Sequence, residues 1–448
     1  MMARFTHVIK RTGAEVPFTP NRISNAIYRA AVAVGGRDKI TAEKLADDVI
    51  AYLEETVPVG EIPHVEQIQD ATEKILIENG HARVAKAYIL YRDERARMRQ
   101  ARADESIRHS SNIPWAKIWQ VLDWAATHNL HTTAHYEERL KRGELQQIVS
   151  ESEMFYEEDI KLAAREICER RDQLRIVLIS GPSSSGKTTS TIKTGQILQQ
   201  MGLSLVALNV DNYFYDLEKH PKDEFGDYDF ETPQALDLAL INTHLSQLIE
   251  GKEVLIPFYD FKQGKRFDNR TPMKIGKNDI ILIDSLHGLY PPMTEDIDPS
   301  RKFKLYLEPL LQMKESNGQY IRWTDIRLMR RMLRDAAYRG YDPERTLTHW
   351  HYVRAGEMRN IIPNNIHADF IINSAMPYEL SIYKNRLFDD FKKWMEKYKE
   401  DPVREDAYIR SARVYQTLSE IPKLQSDDFV PGDSVIREFI GGSTLKYH

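Results

Sequence analysis

Four residues at fixed intervals, Gly181, Gly186, Lys187 and Thr188, complete the pattern G-x-x-x-x-G-K-[ST] inside GPSSSGKTT, residues 181–189. Spacing of this kind holds a polyphosphate. Glycines let backbone N–H groups gather round oxyanions, an ammonium group reaches the outer phosphates, and a hydroxyl binds Mg²⁺. Ser183, Ser184 and Ser185 within the pattern and Thr189 just after it add further donors. The pattern therefore points to a nucleoside triphosphate and Mg²⁺, with Thr188 as one metal ligand.

Two carboxylates stand at the ends of other apolar runs. LSLVALNV leads into Asp211, and DIILI leads into Asp284. In open α/β sheets ligands lie beyond the carboxyl ends of the strands. If these strands are parallel, both acids share an edge with Lys187. Asp284 suits Mg²⁺, directly or through water. Asp211 suits the orientation and deprotonation of an attacking hydroxyl. Arg327, Arg330, Arg331 and Arg334 fall at i, i+3, i+4 and i+7 of DIRLMRRMLRDAAYRG, one broad face of a helix. They could clamp phosphoryl oxygens; a solvated basic face is the other option. YDFETPQALD and IPFYDFKQGKR mix aromatic, acidic and amide groups suited to a base and ribose, although Tyr259 and Phe261 fit a core equally well. His131 and His135 have i, i+4 spacing but lack the acidic partner of a metal site.

The elements around these residues point to an α/β fold. RIVLIS reads as a buried strand and KTTSTIKTGQILQQM as the helix after the loop. Candidate strands are 175–180, 204–210, 253–257, 280–284, 303–307 and 369–373, with helical patterns between most of them, which argues for a mainly parallel sheet covered by helices. Residues 3–95 read as short strands and then helices, with Asn21 and Thr41 as N-caps and Gly35, Gly36 and Gly80 as stops. A charged connector leads to a helical stretch, 114–171, and the tail 376–448 reads as helical, then extended. The expected units are 1–99, 100–171, 172–375 and 376–448.

Composition narrows the function. The 448 residues are 42% hydrophobic and 29% charged, with net charge −5, so no nucleic-acid partner is expected. No apolar run has the length of a membrane span, and the N-terminus lacks the apolar core of a signal peptide. Cys168 is the single cysteine, which excludes an internal disulfide and fits a cytoplasmic protein. A homo-oligomer is left open.

Residues from 175 onward resemble the uridine kinase and phosphoribulokinase family of P-loop kinases. The matching blocks are GPSSSGKTT, VDNYFY, DFETPQALD, IPFYDF and RLMRRMLRD. The resemblance implies a catalytic base at Asp211, acceptor contacts from Tyr213, Glu231, Tyr259 and Phe261, and a lid helix bearing the arginines. The position of the family's base-contacting histidine is Gly264 here, and its Glu-Gly after the strand is Asp284-Ser285. The tail SVIREFIGGS resembles that of bacterial nucleoside-kinase-like proteins. Residues 5–99 are similar to the ATP-cone, a regulatory nucleotide-binding domain, through VIKRTGAEVPFTPNRISNAI and VAKAYILYRDERARMR. That similarity implies a second ATP or dATP held by Lys10, Arg11 and Arg22. The expected activity is phosphoryl transfer from ATP to a small hydroxyl compound, a nucleoside first, with sugar phosphates or pantothenate-like alcohols as alternatives and a non-catalytic ATP sensor as the rival of another class.

Overall fold

Two three-residue strands, β1 (His7–Ile9) and β2 (Glu15–Pro17), pair antiparallel with Val8 opposite Val16. Helices α1 (Asn21–Ala33), α2 (Lys39–Thr56) and α3 (Val65–Glu78) follow and close a core around Ile27, Val49, Leu53 and Leu76. The helix starts differ from expectation. Thr41 lies inside α2, and Asp38 is the cap, accepting from the Thr41 N–H at 3.0 Å. Asn21 opens α1 behind Pro20 with no side-chain cap. Gly35 and Gly80 both have positive φ just beyond helix ends, as stop residues should. The computed structural model describes residues 4–10, 15–89, 113–221, 232–338 and 340–446. It divides into two units, residues 1–110 with 397–408 and residues 111–396 with 409–448. Within the first, Arg29 on α1 donates to the Pro402 carbonyl at 2.5 Å and pairs with Glu405.

The second unit opens with α4 (Trp115–Thr127), α5 (Thr133–Lys141) and α6 (Leu145–Glu169). Next come β3 (Ile176–Ser180), α7 (Lys187–Gln200), β4 (Ser204–Ala207) and α8 (Leu238–Ile249). A hairpin of β5 (Val254–Asp260) and β6 (Lys265–Met273) precedes β7 (Asp279–Asp284) and β8 (Lys302–Glu308). The chain ends with α9 (Trp323–Tyr338), α10 (Pro343–Asn360), β9 (Phe370–Asn373), α11 (Glu379–Tyr398), α12 (Glu405–Ser419) and a single turn, α13 (Arg437–Ile440).

Five strands form one parallel sheet in the order β4-β7-β3-β8-β9. All five residues of β3 are buried, as a central strand covered on both faces requires. Its alternate residues Ile176 and Leu178 pack with Ile281 and Ile283 of β7 against α8 and the hairpin. The expected α/β architecture is present, with one correction. The run 253–257 does not enter the parallel sheet; β5 pairs antiparallel with β6, a strand absent from the sequence reading. Pro257, which has no N–H, coincides with a register shift between Ile256 and Phe258, and Gly264 turns the hairpin at φ +64°. Among the described residues, no helix is long and apolar enough to cross a membrane.

A buried ion pair ties the leading helices to the sheet. Lys117 on α4 donates to Asp159 on α6, whose other oxygen accepts from the Asn373 N–H of β9 at 2.9 Å. Burial pushes the Lys117 pKa down and the Asp159 pKa up, each opposed by the partner's charge. Removing one member of such a pair leaves an uncompensated charge. Asp159→Ala is expected to cost about 3–5 kcal/mol, read from the midpoint of urea unfolding.

Candidate active site

The loop between β3 and α7 needs its glycines for steric reasons. A Cβ on Gly181 would lie 2.3 Å from the Leu307 carbonyl oxygen of β8, and one on Gly186 would lie 2.5 Å from Val435. Gly186 also sits at φ +92°, where L-residues are strained. Ser184 takes φ +60° without being glycine. The Ser184 and Ser185 hydroxyls are buried with no partner. Orphaned donors of this kind inside a glycine-lined turn at a helix N-terminus fit a polyphosphate. Lys187 curls back on the loop, donating to Gly181 O at 3.0 Å and Pro182 O at 3.4 Å. Thr188 is half-buried beside it. Thr189 is turned inward and donates from its N–H and hydroxyl to Glu438 at 3.0 and 2.9 Å.

The four arginines of α9 separate into two pairs. Arg327 and Arg330 are completely buried. Arg327 grips Glu357 of α10 through both terminal nitrogens and donates to the Ser183 carbonyl at 3.0 Å. Arg330 grips Glu379 at 2.8 and 3.0 Å and reaches the Ser185 carbonyl at 3.4 Å. Glu357 in turn accepts the Ser183 N–H at 3.1 Å. Burial works to raise the Glu357 pKa, but Arg327 and Arg354 overcome it and hold the carboxyl ionised below its usual range. Arg327 and Arg330 thus fix the outer wall of the loop and act as positioning residues. Arg331 and Arg334 are half-buried; Arg331 donates to the Ser183 hydroxyl at 3.0 Å, and both lie against Asp335. These two are nearer to the expected role of clamping an arriving anion.

The sheet register brings the strand-end acids to the loop. Asp284 pairs in register with Ile179, two residues before Gly181. Burial lifts its pKa to about 6, the Lys187 ammonium pulls it down, and the charges of Glu438 and Asp211 push it up again. A half-buried carboxylate under that strain suits a divalent cation. Asp211 is the second residue of the 3-10 turn 210–213 just after β4, its N–H held by the Asn209 side chain at 2.9 Å, and its side chain is exposed. Asp211, Asp284, Lys187 and Thr188 therefore gather at one edge of the sheet.

The acceptor-side candidates are less uniform. Tyr213 and Tyr259 pack in the core; the Tyr213 hydroxyl lies 2.9 Å from His244 Nδ1. Phe261 is exposed, edge-on to Tyr259 with centroids 4.9 Å apart. Glu231 lies outside the described residues, as does Arg11 of the first unit. Lys10 and Arg22 are exposed, Arg22 in the first turn of α1.

Sequence inspection did not single out Glu357, Glu379, Glu438 or His287. The first three look like ordinary helix carboxylates, and only their hydrogen bonds show that Glu357 takes the Ser183 N–H, that Glu438 takes Thr189 and that Glu379 holds Arg330. His287 sits three residues past Asp284, buried, with both ring nitrogens unpartnered; burial and the Lys187 charge press its pKa down to about 3.

Comparison with known proteins returns two family matches. The ATP-cone domain matches residues 6–97, and the phosphoribulokinase/uridine kinase family matches residues 176–381. A uridine kinase of Borrelia duttonii is 30% identical over 227 residues, covering 49% of this chain and 99% of that protein. A uridine kinase of Deinococcus deserti is 28% identical over 198 residues, covering 44% of this chain and 86% of its own. Uridine-cytidine kinase B of Dictyostelium discoideum is 28% identical over 198 residues, covering 44% and 73%.

With its pKa raised to about 6, native Asp284 keeps a proton that the unfolded chain has already lost between about pH 4 and 6. Its contribution to stability falls as pH rises through that window. Ligand-free Asp284→Asn should match the parent in thermal unfolding near pH 4 and exceed it above pH 7.

Proposed function

The chain belongs to the phosphoribulokinase/uridine kinase family, preceded by an ATP-cone domain, and on that footing we propose that it transfers the γ-phosphoryl group of ATP to a hydroxyl of a nucleoside of the uridine or cytidine type. The observation that carries the proposal is the parallel register of β3, β7 and β4, which runs the strand ends at Asp284 and before Asp211 to the same edge as the phosphate loop.

In this mechanism the loop amides and Lys187 hold the phosphates. Thr188 and Asp284 would hold Mg²⁺, which would supply charge neutralisation on the outer phosphates. Asp211, exposed at the strand edge, orients the acceptor hydroxyl and takes its proton. Arg331 and Arg334 screen the charge on the transferred group, while Arg327 and Arg330 keep the loop in shape. Phe261 offers an open aromatic face to the nucleobase. Lys10, Arg11 and Arg22 hold a second, regulatory ATP or dATP on the first unit, and the protein works in the cytoplasm.

ATP consumption across a panel of nucleosides and other small alcohols tests this. Asp211→Asn is expected to lower kcat by about 10²–10⁴-fold with nucleotide affinity nearly unchanged. Lys187→Ala is expected to lose nucleotide binding. Full turnover in Asp211→Asn would remove the base, and turnover confined to a sugar phosphate or pantothenate would move the acceptor away from nucleosides.

A further inference from the structure

The C-terminal segment 433–440 enters the phosphate loop from the side. Val435 fills the space beside Gly186, and Asp433 pairs with Lys193 of α7 at 2.9 Å. The Ser434 hydroxyl lies 3.0 Å from the Tyr378 hydroxyl, and the Phe439 ring lies under the Arg330 guanidinium, 5.0 Å from its centroid. At the centre of this docking, Glu438 is nearly buried and takes both donors of Thr189, the N–H at 3.0 Å and the hydroxyl at 2.9 Å.

Thr189 is the third residue of α7. Its N–H is therefore one of the first-turn donors that a helix leaves unsatisfied and that a phosphate loop turns toward the inner phosphates. A carboxylate and a phosphate are chemically interchangeable there: both are anions that accept from N–H and O–H and gain from the helix dipole. They cannot share one donor pair. Glu438 is moreover a like charge to Asp284, which feels it.

We propose that the Glu438 carboxylate is a resident anion in the inner phosphate subsite, and that an arriving nucleotide displaces it and loosens segment 433–440. The loop then exchanges one anion for another instead of opening unpaired donors, and occupancy of the site is reported to the chain terminus. The proposal rests on the nucleotide-site assignment made above and adds an internal competitor to it. Its chemistry requires only a phosphate bound near Thr189, whichever alcohol accepts the transferred group.

Calorimetric titration with Mg²⁺-ATP, run on the full chain, tests it. Glu438→Gln keeps the shape and an acceptor but removes the charge; its Kd for ATP is expected to fall at least about tenfold below that of the parent. Hydrogen exchange on the unmodified protein supplies a second readout that needs no folded variant: saturating ATP is expected to speed exchange in 433–440. An unchanged or weaker affinity in Glu438→Gln, or exchange in that segment that stays constant or slows, would overturn the proposal. Lys187→Ala separates the two levels. If it abolishes binding while Glu438→Gln has no effect, the nucleotide site stands and the competitor falls. If ATP affinity is indifferent to Lys187→Ala, or absent in every protein, both fall.

Discussion

A phosphate loop is a piece of backbone forced to aim its N–H groups inward, and its carbonyls must then be held outside. Here that outer hold comes from two guanidinium groups buried without exposure, Arg327 on the Ser183 carbonyl and Arg330 on the Ser185 carbonyl. Neither cation could sit there alone, because the desolvation of an isolated charge is prohibitive. Each is neutralised by a buried bidentate carboxylate, Glu357 or Glu379, and Ser374 adds a second hold on the Ser185 carbonyl. The loop, α9, α10 and the start of α11 are thus one electrostatic unit. Breaking either pair by deleting one member strands a buried charge, an effect on the order of 3–5 kcal/mol. A few kcal/mol of rigidity in the wall is what allows strained Ser184 and the positive-φ Gly186 to persist inside it.

This explains why part of the site was legible in the chain and part was not. Gly181, Gly186, Lys187 and Thr188 are local: eight consecutive residues carry the whole pattern, and the strand and helix beside them have clear periodicities. Asp211 and Asp284 were legible because each ends an apolar run, and a parallel sheet brings strand ends together. The arginine spacing marked a common helix face, but spacing says nothing of what the face meets. Its partners lie 30 and 49 residues further along, on other helices, so the same signature serves a solvated face, a phosphate clamp or a structural brace. The structure gives the brace to Arg327 and Arg330, sets Arg331 on the Ser183 hydroxyl and leaves Arg334 against Asp335.

The hairpin shows the converse. VLIPFYD has the apolar content of a sheet strand, and its pairing was set by a neighbour with little strand character, KRFDNRTPM. Turn chemistry at Gly264 joined them. The consequence reaches the acceptor side: Tyr259 turns into the core with Tyr213, and Phe261 remains outside near the turn. Motif position alone does not distinguish a core aromatic from an exposed one: Tyr259 lies within β5 and packs in the core, whereas Phe261 falls just beyond the strand's end at Asp260.

The charges left at the open edge complete the picture. Lys187 is the ammonium that Asp284 feels most, while Asp211 and Glu438 press the same carboxylate in the opposite sense. Ligand-free, Asp284 holds its proton more tightly chiefly because it is buried, and the lysine charge does not fully offset that. The lysine meanwhile turns to the Gly181 and Pro182 carbonyls. A divalent cation would relieve Asp284, and phosphates would draw Lys187 off those carbonyls. The edge is therefore least stable in the form that has no ligand, as expected of a site whose charges are arranged around a reaction instead of around the fold.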